Sequence, residues 1–192
     1  MNEITHFING EHVKGTSGRF AEVYNPATGK VQAKVPLASK AELDAAIANA
    51  KEAQIGWAKV NPQKRGRVMM KFVELLHRDM DKLAEALSRE HGKTIPDAKG
   101  DVIRGLEVAE FAIGAPHFLK GEYSAAASTG IDIYSMRQPL GVVAGITPFN
   151  FPAMVPLWMY PMAIACGNSF ILKPSERVPS AQLFLAQLLQ QA

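Results

Sequence analysis

The stretch from Gln138 to Glu176 constrains the fold more than any other part of this chain. Its pattern alternates short apolar runs with turn residues and one longer apolar segment. It predicts a strand, a turn, a helix and a second strand, at Gly141–Thr147, Pro148–Pro152, roughly Ala153–Cys166 and Ser169–Leu172. Two strands joined by a crossover helix of this kind pair in parallel. The sequence therefore predicts an α/β fold with a partial Rossmann-type parallel sheet and flanking helices.

The residues that follow the two predicted strands are candidates for a binding site. Ligands of such sheets bind at the carboxyl ends of the strands. In this chain those ends carry Thr147-Pro148-Phe149-Asn150 and Lys173-Pro174-Ser175-Glu176. We expect the chemistry of the protein to lie there.

A membrane span is the main competing interpretation of this stretch. No charged residue occurs from Pro139 to Leu172, which is long enough to cross a bilayer. Five prolines and three glycines interrupt it, and a lipid-exposed helix with so many missing backbone donors is costly. A buried strand-turn-helix explains the same apolarity, so we expect no membrane partner.

Composition excludes several other classes of protein. Of the 192 residues, 47% are hydrophobic, and the net charge is only +3 with no basic stripe, which argues against nucleic-acid binding. The amino terminus shows no signal or transit peptide, and the single cysteine, Cys166, fits a reducing compartment. We expect a cytoplasmic protein, and no motif predicts a metal site.

The first 120 residues read as hairpins followed by helices. Tight turns are predicted at Asn9-Gly10 and Asn25–Gly29. Helix starts are predicted at the Ser39/Glu42 capping box and at Asn61-Pro62, and Gly92 should end a third helix. We expect 1–120 to form the amino-terminal part of a larger domain, 121–138 a projecting region, and 139–192 the start of the parallel sheet.

The helix after Pro96 carries an arginine on a largely apolar face. Arg104, Val108 and Phe111 lie at i, i+4 and i+7, which suggests a partly buried guanidinium that would bind a carboxylate. A plainer alternative is that Asp101 or Glu107 on the same helix pairs with Arg104. On the residues alone this alternative is favoured.

A half-buried strand is predicted at Ile131–Met136, after a loose loop of glycine, serine and alanine. Such a strand would stand off the main body. It could form an oligomer contact.

Two motifs in the central stretch resemble those of the aldehyde dehydrogenase superfamily. Members carry a Pro-(Trp/Phe)-Asn-(Phe/Tyr)-Pro turn and, two dozen residues later, a Lys-Pro-(Ser/Ala)-Glu loop. Here these read Pro148-Phe149-Asn150-Phe151-Pro152 and Lys173-Pro174-Ser175-Glu176. The resemblance covers the whole chain as the amino-terminal portion of that family, and Phe149 in place of Trp is similar to the CoA-acylating methylmalonate-semialdehyde dehydrogenase branch.

The resemblance implies a role for each candidate residue. Asn150 would donate its amide to the oxyanion of the reacting aldehyde, as the catalytic residue of this chain. Thr147 and Phe149 would line the nicotinamide side of NAD. Lys173 and Glu176 would bind the adenosine ribose, with Arg177 on the adenine side, and Glu176 would repel the 2′-phosphate of NADP. Because the substrates of the branch are acidic, Arg104 would hold the semialdehyde carboxylate.

The implied reaction oxidises malonate or methylmalonate semialdehyde with NAD and coenzyme A to acetyl-CoA or propionyl-CoA, with loss of carbon dioxide, in valine or inositol catabolism. The full-length protein would be a homodimer or homotetramer. Two alternatives stay open: a hydrolytic aldehyde dehydrogenase, for example for succinate semialdehyde, and a non-catalytic dinucleotide-binding relative. Cys166 reads as a buried structural thiol, and the family's nucleophilic cysteine is expected beyond residue 192, so the chain alone is predicted to be inactive.

Overall fold

The structure of the chain, a computed structural model, describes residues 2–192, with side chains from Glu3 onward. Within this range there are nine strands: β1 (Asn2–Glu3), β2 (His6–Ile8), β3 (Glu11–Val13), β4 (Phe20–Asn25), β5 (Lys30–Pro36), β6 (Tyr123–Ser128), β7 (Ile131–Tyr134), β8 (Val142–Ile146) and β9 (Ser169–Lys173). The same residues form seven helices: α1 (Lys40–Lys59), α2 (Pro62–Arg78), α3 (Met80–His91), α4 (Ile95–Ile113), α5 (Ala115–Phe118), α6 (Met154–Ala165) and α7 (Ser180–Gln191).

The central stretch forms the predicted βαβ unit. β8 and β9 pair in parallel from Val142↔Ser169 to Ile146↔Lys173, and α6 is the crossover. At Gly145 a Cβ atom would lie 2.6 Å from Met159 Sδ and 2.7 Å from Phe170 Cζ, so a larger residue there would require these side chains to move. The predicted α/β fold class is confirmed.

The amino-terminal strands also follow the predicted turns. β2 and β3 form a hairpin whose turn residues Asn9 and Gly10 both have positive φ, 55° and 75°. Asparagine followed by glycine is the residue pair that such a two-residue turn favours. β4 and β5 pair antiparallel across the second predicted turn, and β1 adds to β5 in parallel.

The predicted helix ends are present as hydrogen bonds. Ser39 and Glu42 form a reciprocal capping box at the start of α1. The Asn61 side chain accepts from Lys64 N at the start of α2, and Gly92 ends α3 in the left-handed conformation with φ 83°. The sequence was sufficient to predict these helix ends, because each cap involves bonds within a single turn of helix.

α4 lies at the centre of the core. It packs against α2, α3 and α6, and α7 packs in turn against α2 and α3. Its buried residues recur at helical spacing: Ala98, Asp101, Val102, Gly105, Leu106, Ala109 and Ala112. α2 and α3 also contribute an apolar face to this core, with Phe72, Leu76, Leu83 and Leu87 fully buried.

Residues 121–138 differ from the sequence prediction. The expected Gly/Ser/Ala loop is itself a strand, β6, which pairs with β7 in an antiparallel hairpin. Every residue of both strands is exposed, so the prediction of a half-buried strand is wrong for this chain. Alternation predicted that the side chains divide between two faces, but it could not show whether anything covers either face.

α1 is less buried than α2 and α4, the other long helices. None of its residues is fully buried, and Leu43 and Ile47 are 45% and 40% exposed. The helix contacts β8 and β9, and the Trp57 indole N–H donates to Ile164 O at 2.8 Å. Among residues 2–192, no helix combines the length and apolarity that a membrane-crossing segment needs.

Candidate functional site

The two predicted loops meet at one edge of the β8–β9 sheet. Ile146 is in register with Lys173, and the next backbone amide, Thr147 N, donates to Lys173 O at 3.1 Å. Both loops therefore leave the sheet at the same level and in the same direction. The parallel pairing that the crossover helix imposes brings them together, as the sequence predicted.

Phe149 and Arg177 connect the two loops directly. The guanidinium carbon of Arg177 lies 4.9 Å from the centre of the Phe149 ring, a cation–π contact. Phe149 is 48% exposed, and Thr147 is buried with a hydroxyl that has no hydrogen-bond partner among the described residues. The first turn thus exposes one aromatic face and keeps one unsatisfied hydroxyl buried beneath it, near the start of the second loop.

The second loop carries an exposed ion pair. Lys173 Nζ lies 3.0 Å from Glu176 Oε2, and both side chains are about half exposed. A hydrogen bond from its own backbone N–H, and then the one from Lys173, lower the pKa of Glu176, so its carboxylate is ionised at neutral pH. A ribose could therefore meet both carboxylate oxygens as acceptors and one ammonium group as a donor.

The side chain of Asn150 is exposed, whereas its backbone carbonyl is bound by Lys93. Lys93 Nζ donates to Asn150 O at 3.1 Å and to Asp101 Oδ2 at 2.9 Å. It also lies 4.7 Å from the centre of the Phe151 ring. The amide of Asn150 is thus presented to solvent on a turn that a largely buried cation, Lys93, anchors.

Asp101 provides the second anchor of this turn. Its side chain is fully buried, and Oδ1 accepts from Met154 N, the first residue of α6, at 2.7 Å. Ala153, at the N-cap of α6, offers no capping side chain, so a carboxylate from α4 takes that function. An acidic group is favourable at this position because the free N–H groups of a helix amino terminus carry partial positive charge.

Glu90 anchors the second loop in a comparable way. Its buried carboxylate accepts from Ser180 N at 2.9 Å and from Ser180 Oγ at 2.5 Å, at the first residue of α7. Burial raises the pKa of Glu90, and the two hydrogen bonds from Ser180 offset part of that effect. The short segment from Glu90 to Lys93 therefore supports both loops.

Sequence reasoning did not identify Lys93 or Glu90, and it considered Asp101 only as a partner of Arg104. The sequence nevertheless contained a signal for the two carboxylates. Asp101 falls on the buried stripe of α4, and Glu90 continues the stripe of Leu83 and Leu87 on α3. A carboxylate on an apolar stripe must find a hydrogen-bond donor inside the fold, because a buried charge without a partner is costly.

The expectations for the surroundings of Arg104 are wrong. Its side chain is exposed on α4, not partly buried. Neither Asp101 nor Glu107 pairs with it, since Asp101 is bound to Lys93, and no carboxylate of the described residues lies within ion-pair distance. Its guanidinium is therefore free within residues 2–192. The proposed role in binding a substrate stays a prediction.

Cys166 lies at the opposite end of α6 from Asn150. The helix has 12 residues, which places the thiol about 18 Å from the turn. Burial raises the pKa of Cys166, and nearby Arg65 offsets this only in part. Both facts agree with the structural role predicted for this thiol, but Cys166 is only partly buried, so the expectation of a buried thiol is wrong. Across residues 2–192, no three His, Cys, Asp or Glu side chains are placed to hold a metal ion.

Comparison with known proteins extends these findings. A profile of the aldehyde dehydrogenase family matches residues 12–192. A malonate-semialdehyde dehydrogenase of Pseudomonas aeruginosa is 53% identical over 192 residues, which are 100% of this chain and 38% of that protein. The mitochondrial, acylating methylmalonate-semialdehyde dehydrogenase of Arabidopsis thaliana is 50% identical over 189 residues, which are 98% of this chain and 31% of that protein.

Among solved structures, this chain is similar to an NAD complex of a protein from Sinorhizobium meliloti 1021 that is assigned as a methylmalonate-semialdehyde dehydrogenase. The two share 62% identity and superimpose with a TM-score of 0.98, over 100% of this chain and 39% of that one. The chain thus spans well under half the length of each of these relatives.

Proposed function

This chain belongs to the aldehyde dehydrogenase family, and from that premise we propose that it is the amino-terminal portion of an NAD-dependent, CoA-acylating dehydrogenase of malonate or methylmalonate semialdehyde. The observation that carries the proposal is the edge of the β8–β9 sheet, where an exposed amide, Asn150, and a candidate ribose-binding pair, Lys173 and Glu176, follow adjacent strands. By the full-length protein we mean this chain together with the further length that its relatives have.

The residues of the second loop fit NAD. Glu176 is ionised and half exposed, so it can accept hydrogen bonds from ribose hydroxyls while it repels a 2′-phosphate. Thr147, Phe149 and Arg177 would complete the cofactor contacts on the first loop and beside it. The structure of the Sinorhizobium meliloti protein contains NAD, which supports this choice. Bound NAD would supply the oxidant of the reaction.

Asn150 fits the stabilisation of an oxyanion. When a thiolate attacks an aldehyde, negative charge develops on the carbonyl oxygen, and a fixed neutral donor stabilises it at no cost in reorganisation. The amide of Asn150 is exposed, and its backbone is anchored by Lys93. We place the attacking thiol in the part of the full-length protein beyond this chain, because Cys166 lies at the far end of α6.

Arg104 would supply specificity for an acidic substrate. Its guanidinium is exposed and has no carboxylate partner within residues 2–192, so it could bind the carboxylate of a semialdehyde. Coenzyme A as acyl acceptor is supported by the Arabidopsis protein, whose name describes it as acylating. The name of that protein also places it in mitochondria, and a cytoplasmic location for this chain stays a prediction.

The test is a product analysis of the full-length protein. We expect malonate semialdehyde and NAD to give NADH, carbon dioxide and acetyl-CoA in the presence of coenzyme A, with little free acid. Free carboxylic acid formed at the same rate without coenzyme A would identify the hydrolytic alternative. If no aldehyde reduces NAD and the protein still binds the dinucleotide, the non-catalytic alternative is correct.

A further inference from the structure

The pair formed by Lys93 and Asp101 has more contacts than a stabilising ion pair requires. Asp101 is fully buried and the Lys93 side chain is 11% exposed, with 2.9 Å between Nζ and Oδ2. Burying such a pair gives little net stability, because desolvation offsets most of the attraction between the charges. The pair therefore calls for another explanation, and its remaining contacts indicate one.

The remaining hydrogen bonds of the pair, and its cation–π contact, are all to the turn that carries Asn150. Lys93 Nζ donates to the carbonyl oxygen of Asn150 at 3.1 Å and lies over the Phe151 ring. Asp101 Oδ1 accepts from Met154 N at 2.7 Å, where the turn enters α6. The turn is thus held at Asn150 itself and at its exit, by two side chains that also hold each other.

We propose that Lys93 and Asp101 are positioning residues, which fix the backbone of the Asn150 turn so that the exposed amide donates along one direction. The inference rests on the oxyanion role proposed for Asn150. A donor stabilises an oxyanion only when it lies about 2.7–3.1 Å from the position of that oxygen. The described hydrogen bonds of Asn150 involve only its backbone, so the backbone is the part of the residue through which its amide can be positioned.

A positioning role differs from plain stabilisation in its consequences. Loss of a stabilising pair lowers the melting temperature and affects every activity of the protein in proportion to the unfolded fraction. Loss of a positioning pair lowers kcat through Asn150, and it has no further effect once the amide of Asn150 has been removed. Energies of residues that act through one another are not additive, which makes this difference measurable.

The experiment is a mutant cycle in the full-length protein. Lys93→Met and Asp101→Asn are introduced together, so that neither charge is left buried without its partner, and the pair variant is made with and without Asn150→Ala. With Asn150 present we expect kcat to fall by about 10- to 10²-fold, as for a misplacement of about 1 Å. The affinity for NAD should fall less, because the candidate ribose-binding pair Lys173 and Glu176 lies on the other loop. In the Asn150→Ala background, the pair variant should lower kcat by less than about a further twofold.

A matched control tests whether loss of any nearby ion pair has the same effect. Lys99 of α4 pairs with Asp81 of α3 at 2.6 Å, and both side chains are substantially exposed. Lys99→Met with Asp81→Asn should leave kcat unchanged. If the Lys93 and Asp101 pair variant does not fold, Lys93→Arg replaces it. This substitution keeps a cation beside Asp101 but alters the donor geometry, and it is likewise made with and without Asn150→Ala.

The results of the cycle distinguish failure of the positioning role from failure of the oxyanion role. Unchanged kcat in the pair variant, or an equal loss with and without Asn150, would overturn the positioning role and leave the proposed function intact. Wild-type kcat in Asn150→Ala alone would overturn the oxyanion role and this inference with it.

Discussion

At the scale of single residues, Asn150 is a neutral donor on a turn whose carbonyl is bound by Lys93. We expect Asn150→Ala in the full-length protein to lower kcat by about 10²–10³, the usual loss for one oxyanion donor. The dissociation constant for NAD should change little, because the candidate ribose-binding pair lies on the other loop. Steady-state kinetics together with NAD titration check both expectations, and an unimpaired kcat would contradict the assignment.

Arg104 leads to a prediction about specificity. Because its guanidinium is exposed and unpaired within residues 2–192, its replacement should cost the fold little. We expect Arg104→Leu to raise KM for malonate semialdehyde and to leave KM for propanal, which has no carboxylate, nearly unchanged. Steady-state kinetics with both aldehydes measure the two KM values. An equal loss with the two substrates would show that Arg104 has a structural role.

At the scale of elements, the end of α3 supports both loops, through Glu90 at the start of α7 and through Lys93 at the Asn150 turn. Glu90 makes this support dependent on pH. Because burial raises its pKa from the ordinary 4.5, the folded chain keeps a proton that the unfolded chain would lose. The resulting stabilisation is complete below the ordinary pKa and is lost as the pH rises through the raised value.

Glu90→Gln should therefore flatten the pH dependence of stability. Glutamine can still accept from Ser180 N and does not ionise. We therefore expect the melting temperature to fall less than in the parent protein as the pH rises above 4.5, the ordinary pKa of the carboxyl group. Thermal unfolding of the full-length protein at several pH values measures this. Glu85→Gln, at an exposed position of the same helix, is the control. An identical slope in Glu90→Gln and the parent would refute the prediction.

The β6–β7 hairpin is the element proposed to form an oligomer contact. Ile131 and Ile133 are 52% and 57% exposed, and alternation places them on one face of β7. Exposed apolar side chains on a free strand edge favour association with another chain. We expect Ile133→Asp to lower the molar mass of the full-length protein in solution.

Ser128 on β6 offers a matched control for that substitution, since it is exposed on the same hairpin and carries no apolar side chain. Light scattering of Ile133→Asp and Ser128→Asp should show a change of mass in the first variant only. Unchanged mass in Ile133→Asp would place the oligomer contact elsewhere.

At the scale of the whole molecule, the chain pairs β8 only with β9 among its described strands, and it leaves Ile146 and Leu140 largely exposed. We predict that the isolated 192-residue chain reduces no NAD with any semialdehyde, with or without coenzyme A, binds NAD weakly at best, and self-associates. The reasons are that its one cysteine lies at the wrong end of α6 and that the strand edges are open.

An absorbance assay at high protein concentration tests this, with Cys166→Ala as the matched control. Turnover that disappears in the control would identify Cys166 as a nucleophile and would show that the chain is a complete catalyst.

The sequence by itself determined the features that depend on neighbours along the chain. The turn at Asn9-Gly10, the caps at Ser39 and Asn61, and the end of α3 at Gly92 each involve bonds within a few residues. The parallel pairing of β8 with β9 was also predicted from the sequence, because a strand–helix–strand unit provides the crossover that parallel strands need. That pairing was sufficient to bring the Asn150 turn and the Lys173–Glu176 loop to one edge.

Only the tertiary structure decided which side chains hold that edge in place. Lys93 is 57 positions from Asn150, and Glu90 is 90 positions from Ser180. The periodicity of α3 and α4 shows that Glu90 and Asp101 face the core, but it does not say which donors they meet there. The exposure of Arg104 and of the β6–β7 hairpin was likewise unpredictable, because alternation and helical spacing describe faces of an element and not what packs against them.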